Sequence, residues 1–225
     1  IMKTLRGAKN STVKLGVQRG NSPELLYFDV TRGDVPVNSV YVSYEAAKGI
    51  GYIKVSKFAR NTYNEFITAI AKLKQAGCTS FVIDLRGNTG GYMDAAINMI
   101  NEFMPEGRLI VYTEGKSFPR SDVYANGTGT CKDAPIVVLT DEISASASEI
   151  FSGAIQDNDR GTIIGRRTYG KGLVQTQMSL SDGSEMRLTI ARYYTPSGRC
   201  IQKKYEMGNT DAYDQDIYNR YMHGE

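Results

Sequence analysis

Three short segments of the sequence combine residue types that can do chemistry. The first is glycine-rich, 84–91 (DLRGNTGG), the second carries serines at alternate positions, 144–150 (SASASEI), and the third places a lysine between glycines, 165–172 (GRRTYGKG). A serine hydroxyl is a weak nucleophile until a neighbouring base takes its proton. The only histidine, His223, lies in a polar tail near the end of the chain. These segments therefore indicate a serine nucleophile with a lysine base.

The glycine-rich segment follows a short apolar strand and precedes a helix. Glycine adopts backbone dihedral angles that other residues avoid, so backbone N–H groups can point at a ligand there. The N-terminus of a helix also favours negative charge. The segment suits an oxyanion or a phosphate, although a tight strand-to-helix turn requires glycine as well. Its glycines do not fit the G-x-G-x-x-G spacing of dinucleotide-binding loops.

The serine segment opens a predicted helix. Ser146 and Glu149 have the spacing of a capping box, in which the serine oxygen bonds a helix N–H group and the glutamate reaches back. A serine in the first turn of a helix also lies beside backbone donors that would stabilise a developing oxyanion. The spacing does not choose among Ser144, Ser146 and Ser148.

The third segment nearly matches the phosphate loop G-x-x-x-x-G-K-[ST]. Gly172 stands where that motif has a magnesium-binding hydroxyl, and a strand pattern follows where the motif needs a helix. We therefore predict no nucleotide binding. Lys171 is either a solvated turn residue or, if the following strand carries it into a buried place, a base, because loss of water favours the neutral form of a lysine.

The composition excludes several other kinds of site. Because the only histidine lies in a polar tail, we expect neither a Ser-His-Asp triad nor a Cys-His protease. The three cysteines, Cys78, Cys131 and Cys200, are too few for a four-thiolate zinc site. We predict no metal or other cofactor, and three reduced thiols that are buried or half-buried. The net charge is only +3, so nucleic acid is not an expected partner.

The order of predicted elements indicates an α/β protein with a substantially parallel sheet. Helices are expected from Asn61 or Thr62 to a stop at Gly77, over 93–103 and over 146–156. No clear period continues after Lys203. Strands are expected at 13–17, 25–30, 40–44, 51–58, 80–85, 109–113, 136–140, 162–165, 173–180 and 185–194.

Taken together, the segments resemble those of the C-terminal processing peptidases, or tail-specific proteases, which are serine endopeptidases with a Ser/Lys dyad. The resemblance implies that Ser146 is the nucleophile, that Lys171 is the general base and that Gln175 positions this lysine. It further implies oxyanion donors at Ala147 and at Gly90 or Gly91, and supporting roles for Glu149, Asp157 and Thr168. The matching stretches are 84–91, 144–150, 153–160, 165–175 and 193–202.

The same resemblance implies a crotonase-like α/β spiral related to that of Clp-type proteases. Residues 1–37 resemble the β-rich second half of a PDZ domain, without the first half that completes its tail-binding groove. Residues 38–203 correspond to the protease core and 204–225 to a C-terminal tail. The implied partners are polypeptides with accessible C-terminal tails, and the implied location is the bacterial cell envelope, periplasmic or membrane-associated.

Other functions and assemblies stay open at this stage. A homo-oligomer is compatible with the sequence. One alternative function is a catalytically silent relative that only binds peptides, although Ser146, Lys171 and Gln175 occur together. The other is a crotonase-type acyl-CoA enzyme, which would share the fold and the oxyanion loop but has no need for a serine and a lysine at this spacing.

Overall fold

The computed structural model describes residues 2–34, 38–205, 208 and 210–224. The chain divides into two units, Ile1–Val37 and Asn38–Glu225. The first contains a short helix, α1 (Met2–Leu5), and two antiparallel strands, β1 (Thr12–Gln18) and β2 (Leu25–Thr31). The predicted domain boundary lies between residues 37 and 38, directly after residues 35–37, which are outside the described residues. That the first unit is half of a PDZ domain stays a prediction.

The second unit contains two sheets and four helices among its described residues. Its elements are β3 (Val40–Ala47), β4 (Ile50–Val55), α2 (Thr62–Gln75), β5 (Ser80–Asp84), α3 (Met93–Asn101), β6 (Leu109–Gly115), β7 (Phe118–Tyr124), β8 (Ile136–Thr140), α4 (Ala147–Asp157), β9 (Thr162–Gly165), β10 (Leu173–Ser179), β11 (Glu185–Tyr194) and α5 (Thr210–Met222). Four strands of the larger sheet, in the order β4-β5-β8-β9, run parallel, and β3 adds an antiparallel edge. The smaller sheet is antiparallel, in the order β10-β11-β6-β7.

Helix α4 lies in the middle of the core. Every residue from Ala147 to Ile155 is buried, which is the pattern of a helix enclosed on all sides rather than of an amphipathic surface helix. Phe151 of this helix packs edge-on against Phe103, with 6.5 Å between the ring centroids. Phe66 and Phe81 pack against the same ring, with centroid distances of 6.2 and 6.4 Å. Close packing of this kind holds α4, and therefore its first residue, in one position.

The predicted parallel α/β architecture is confirmed. Strand β7 was not predicted, and neither was α5, which forms part of the tail 204–225.

All three cysteines are free, and Cys78 and Cys131 are buried, but Cys200 is exposed because it follows an exposed turn. The prediction of buried or half-buried thiols is therefore wrong for Cys200. No helix within the described ranges is long and apolar enough to cross a membrane.

Candidate active site

The glycine-rich, serine and lysine segments lie at one edge of the parallel sheet. Each follows the carboxyl end of a strand: the glycine-rich segment follows β5, the serine segment follows β8 and the lysine segment follows β9. Carboxyl ends of parallel strands meet at the same edge, where α/β proteins commonly bind ligands. The Gly87 N–H donates to the Asp141 carboxylate at 2.9 Å, and the Tyr169 N–H donates to the Ser144 carbonyl at 3.0 Å.

The contacts of the serines resolve the choice that their spacing leaves open. Ser144 is buried and its hydroxyl donates to the Leu85 carbonyl at 2.9 Å. Ser148 is also buried, and its hydroxyl donates to the Asn88 carbonyl at 2.9 Å. Ser146 is half-buried, and its hydroxyl donates to no acceptor among the described residues. Of these three serines, Ser146 alone has a hydroxyl that donates to no described acceptor.

The backbone of Ser146 is strained at the point where α4 begins. Its φ is +56° and its ψ is −112°, in a region that side chains other than glycine rarely adopt. Two contacts with Glu149 hold it there: the Ser146 N–H donates to the Glu149 carboxylate at 2.8 Å, and the Ser146 carbonyl accepts the Glu149 N–H at 2.9 Å. Ser146 and Glu149 thus form the predicted capping box, in which the Ser146 side chain accepts the Glu149 N–H and the Glu149 carboxylate accepts the Ser146 N–H. Strain of this kind clusters at functional sites.

Asn88 joins the glycine-rich segment to the serine segment, a role that the sequence analysis missed. It is fully buried, and its side chain accepts the Gly90 N–H at 2.9 Å and donates to the Val55 carbonyl at 2.9 Å. Its own carbonyl accepts the Ala145 N–H at 3.0 Å. An asparagine inside a glycine-rich turn is a signal that could have indicated this role, because its side chain commonly bonds nearby backbone groups.

Two backbone donors in the glycine-rich and serine segments remain unused. The Gly90 N–H is bound by Asn88, whereas the N–H groups of Ala147 and Gly91 donate to no acceptor in the part of the chain that the structure describes. An oxyanion needs such preorganised donors. Of the two glycines that the resemblance offers, Gly91 has the free N–H in this structure.

Replacing Gly90 with alanine is expected to lower the peptide cleavage that the resemblance implies by about 10²-fold, because displacing a reacting group by about 1 Å can cost that much. Gly90 has a φ of +97°, and an added Cβ would lie 2.6 Å from the Ala145 carbonyl oxygen and 2.8 Å from Ser146 Cβ. Ser146 has to move to make room. Steady-state kinetics on the purified variant measures the effect.

Gly87→Ala is the matched control for this prediction. Gly87 belongs to the same loop and has a φ of +73°, but an added Cβ there would meet no atom within 4 Å. Backbone strain alone is expected to lower the free energy of unfolding by about 1–2 kcal/mol and to leave cleavage nearly intact. Equal losses of activity in the Gly87 and Gly90 variants would show that strain, and not contact with Ser146, is responsible.

Glu149 also binds the lysine segment, so one carboxylate connects two of the three segments. It is buried, and it accepts the Thr168 hydroxyl at 2.7 Å, the Gly170 N–H at 2.6 Å and the Lys171 N–H at 2.8 Å. The backbone of Lys171 is thus tied to the residue that holds Ser146. Glu149 and Thr168 lie where they can support the site.

The side chains of Lys171 and Gln175 are exposed. Gln175 lies at an irregularity in the pairing of β10 with β11. Neither Lys171 Nζ nor the Gln175 amide forms a hydrogen bond with any residue that the structure describes. Of the two alternatives for Lys171, the structure shows the solvated one. It brings the backbones of the proposed dyad together, but not the Ser146 hydroxyl and the Lys171 amine.

Asp157 lies at the opposite end of α4 from Ser146. Its carboxylate accepts the Ser197 hydroxyl at 2.6 Å and the Arg199 guanidinium at 2.5 Å. Burial alone would raise the pKa of Asp157, but hydrogen bonds from Ser197, Thr195 and Arg199 outweigh it and lower the pKa. Asp157 therefore anchors the turn after β11. Among the described residues, no cluster of three or more histidine, cysteine or acidic side chains could hold a metal ion.

Asp84 anchors the start of the glycine-rich segment. It is fully buried, and its carboxylate accepts the Tyr52 hydroxyl at 2.5 Å and the Arg86 guanidinium at 2.7 Å, while Lys54 Nζ lies 3.3 Å away. Burial would raise the pKa of Asp84, but the hydrogen bonds from Arg86 and Tyr52 outweigh it and hold the pKa well below its usual range. Burial and the bond to Asp84 raise the pKa of Tyr52 to about 12.

Because the folded-state pKa of Asp84 is lowered, its carboxylate stabilises the fold above the unfolded-state pKa, about 4, and this contribution is lost as the pH falls towards the folded-state value. Asp84→Asn is expected to lower the free energy of unfolding at pH 7 by about 1.5–3 kcal/mol, because hydrogen bonds to the buried carboxylate are weakened while its cationic partners stay partly exposed. It should also flatten the decline of stability below about pH 4. Urea titrations across pH measure both effects. The exposed Asp94→Asn is the control, and an unchanged slope in the Asp84 variant would contradict the assignment.

Comparison with known proteins connects this site to a family. Residues 49–211, well over half of the chain, match peptidase family S41. The chain belongs to peptidase family S41. The matched range includes the glycine-rich, serine and lysine segments, and the family agrees with the resemblance drawn from their residues.

Named relatives of the S41 chain are processing proteases. It is 37% identical over 202 residues to the carboxyl-terminal-processing protease of Synechocystis sp., and 32% identical over 202 residues to the carboxy-terminal processing protease CtpB of Bacillus subtilis. The alignments cover 88% and 89% of this chain but 47% and 42% of those relatives, so the chain spans less than half of their length. The solved photosystem II D1 C-terminal processing protease matches with a TM-score of 0.68 and 32% identity, over 87% of this chain and 54% of that one.

Proposed function

We propose that the S41 chain carries the catalytic residues of a serine endopeptidase that cleaves unstructured or C-terminal regions of polypeptides. The observation that carries the proposal is the state of Ser146: a strained, half-buried serine at the start of a buried helix, with a free hydroxyl and an unused N–H on the next residue. The family match and the names of the relatives support a protease. A bacterial envelope location belongs to the same proposal and rests on the resemblance.

In the proposed reaction, Lys171 Nζ takes the proton of the Ser146 hydroxyl as Oγ bonds to the peptide carbonyl carbon. The carbonyl oxygen becomes an oxyanion, which the N–H groups of Ala147 and Gly91 stabilise. The C–N bond then breaks, and the leaving amine receives the proton from Lys171. A water molecule attacks the acyl-enzyme, gives a proton to Lys171 and releases the acid. Ser146 Oγ regains that proton.

The proposal requires the Lys171 side chain to move. Its amine is exposed and has no hydrogen-bond partner among the described residues, while its backbone N–H is already bound to Glu149. Rotation of the lysine side chain towards Ser146, and its shielding from water by a bound polypeptide, would assemble the dyad and favour the neutral amine. Gln175, four residues further on, is proposed to orient the amine in that state.

Covalent labelling tests the proposal. A fluorophosphonate probe is expected to modify the folded chain at Ser146 alone, identified by mass spectrometry of the digested protein, while Ser144 and Ser148 stay unmodified. Cleavage of an unfolded, apolar-tailed polypeptide is measured in parallel, by this chain and by a longer form with the complete predicted PDZ domain. Labelling elsewhere, or no Ser146-dependent cleavage by either form, would contradict the proposal. Acyl-CoA binding without cleavage would instead favour a crotonase-type enzyme.

A further inference from the structure

The C-terminal helix α5 is bound to the lysine segment by a buried arginine. Arg220 is only 7% exposed, and its guanidinium donates to the carbonyl of Thr168 at 2.9 Å and to that of Arg167 at 3.2 Å. Asp216, one turn earlier in the helix, accepts from the same guanidinium at 2.7 Å. Two consecutive carbonyl groups just before Lys171 are thus held by one side chain.

The segment 202–203 before α5 contacts the other half of the same loop. The Lys203 N–H donates to the Gly170 carbonyl at 2.9 Å, and the Gly172 N–H donates to the Gln202 side chain at 3.0 Å. Both residues are connected to α5 in turn, because Lys203 Nζ donates to the Tyr213 carbonyl at 2.8 Å and Gln202 donates to the Tyr213 hydroxyl at 3.0 Å. The backbone on both sides of Lys171 is therefore bonded to this C-terminal part of the chain.

The contacts of α5 complement those of Glu149. Glu149 accepts the N–H groups of Gly170 and Lys171. Arg220 donates to the carbonyl groups of Arg167 and Thr168, which come shortly before them in the same loop. Fixing N–H groups from one side and carbonyl groups from the other sets the orientation of successive peptide planes. The direction in which the Lys171 side chain leaves the backbone follows from those planes.

Apolar packing alone does not explain how α5 is attached, since Tyr213 and Ile217 are only half-buried. Tyr218, Tyr221 and Met222 are each more than half exposed, and among the described side chains of the helix only Arg220 is buried. Its Nε has no partner in the part of the chain that the structure describes. A buried, unpaired N–H is unfavourable, and an apolar residue would avoid it. A guanidinium supplies two amino groups in one rigid plane at this place: Nη1 donates to both carbonyl groups, and Nη2 donates to the Asp216 carboxylate.

We propose that Arg220 is a positioning residue for Lys171, so that α5 sets the turnover rate of the proposed protease without contacting the substrate. The inference rests on the proposed function. It predicts a loss in kcat with KM nearly unchanged, because the backbone of the general base is displaced while the rest of the site stays in place.

Three variants test this role on the whole chain. Arg220→Ala is expected to lower kcat by about 10- to 100-fold with KM within about twofold, and free guanidinium at non-denaturing concentrations should restore part of kcat. A cavity of about 520 Å³ borders Arg220, Thr168 and Gly170 and leaves room for that ion. Arg220→Lys keeps the charge but not the fork of donors, so an intermediate kcat is expected. Arg187→Ala, at an exposed position on β11, is the control.

The outcomes separate failure of the inference from failure of the proposed function. Ser146-independent cleavage by the unmodified chain would contradict the function itself. If cleavage depends on Ser146, a kcat within about twofold of the unmodified chain in both Arg220 variants would overturn the inference. So would a loss confined to KM, or a folded Arg220→Ala variant that guanidinium does not rescue. Should Arg220→Ala fail to fold, the kcat of Arg220→Lys decides alone.

Discussion

Ser146→Ala is expected to lower polypeptide cleavage by at least about 10³-fold, and Lys171→Ala by a comparable factor. The first change removes the free hydroxyl that the structure places at the start of α4, and the second removes the proposed proton acceptor. Because a nucleophile and its base act as one unit, the double variant should lose little more than either single variant. Initial rates on an unfolded polypeptide measure all three.

Two variants of the same residue types provide controls. Ser179→Ala and Lys116→Ala change exposed residues that contact neither the glycine-rich nor the serine segment, and both should keep full activity. Losses that multiply in the Ser146/Lys171 double variant would indicate independent roles and contradict the dyad. A Lys171→Ala variant that keeps more than about a tenth of the activity would require another base.

The sequence predicted the framework well because the framework depends on local patterns. Continuous apolar runs identified β5, β8 and β9, and their alternation with helical segments predicted the parallel sheet. Strand β7 was missed because its seven residues include a proline and charged side chains, and six of the seven are exposed. Helix α5 was missed because its buried residue is an arginine, whereas periodicity identifies helices by their apolar residues.

The site could be predicted only in part. Glycine and serine patterns located the three segments, but which hydroxyl and which N–H are free depends on contacts between segments. The Asn88 carbonyl accepts the Ser148 hydroxyl across 60 positions of sequence, and Asp141 accepts the Gly87 N–H across 54. Contacts at that separation exist only after the parallel strands have brought the loops to one edge. For the same reason, no local sequence pattern could have indicated the proposed role of Arg220.

Among single substitutions of residues other than Ser146 and Lys171, Glu149→Gln is expected to disrupt the site most. One carboxylate oxygen accepts the Thr168 hydroxyl and the Gly170 N–H, and the other accepts the N–H groups of Ser146 and Lys171. A glutamine amide has a single oxygen, so whichever way it turns, its NH₂ group must face donors. The lysine segment then loses its attachment to the start of α4.

Because each hydrogen bond to a charged group contributes about 1.5–3 kcal/mol, the variant should lose roughly 3 kcal/mol or more of unfolding free energy. Its kcat/KM should fall by about 10²-fold, since both members of the dyad are displaced. Urea denaturation and steady-state kinetics measure the two effects. Glu142→Gln is the control, because the contact that the structure describes between Glu142 and the same loop is a surface ion pair with Arg166 at 3.2 Å, worth about 0–1 kcal/mol. A Glu149→Gln variant no less active than Glu142→Gln would show that the lysine segment holds its position without this carboxylate.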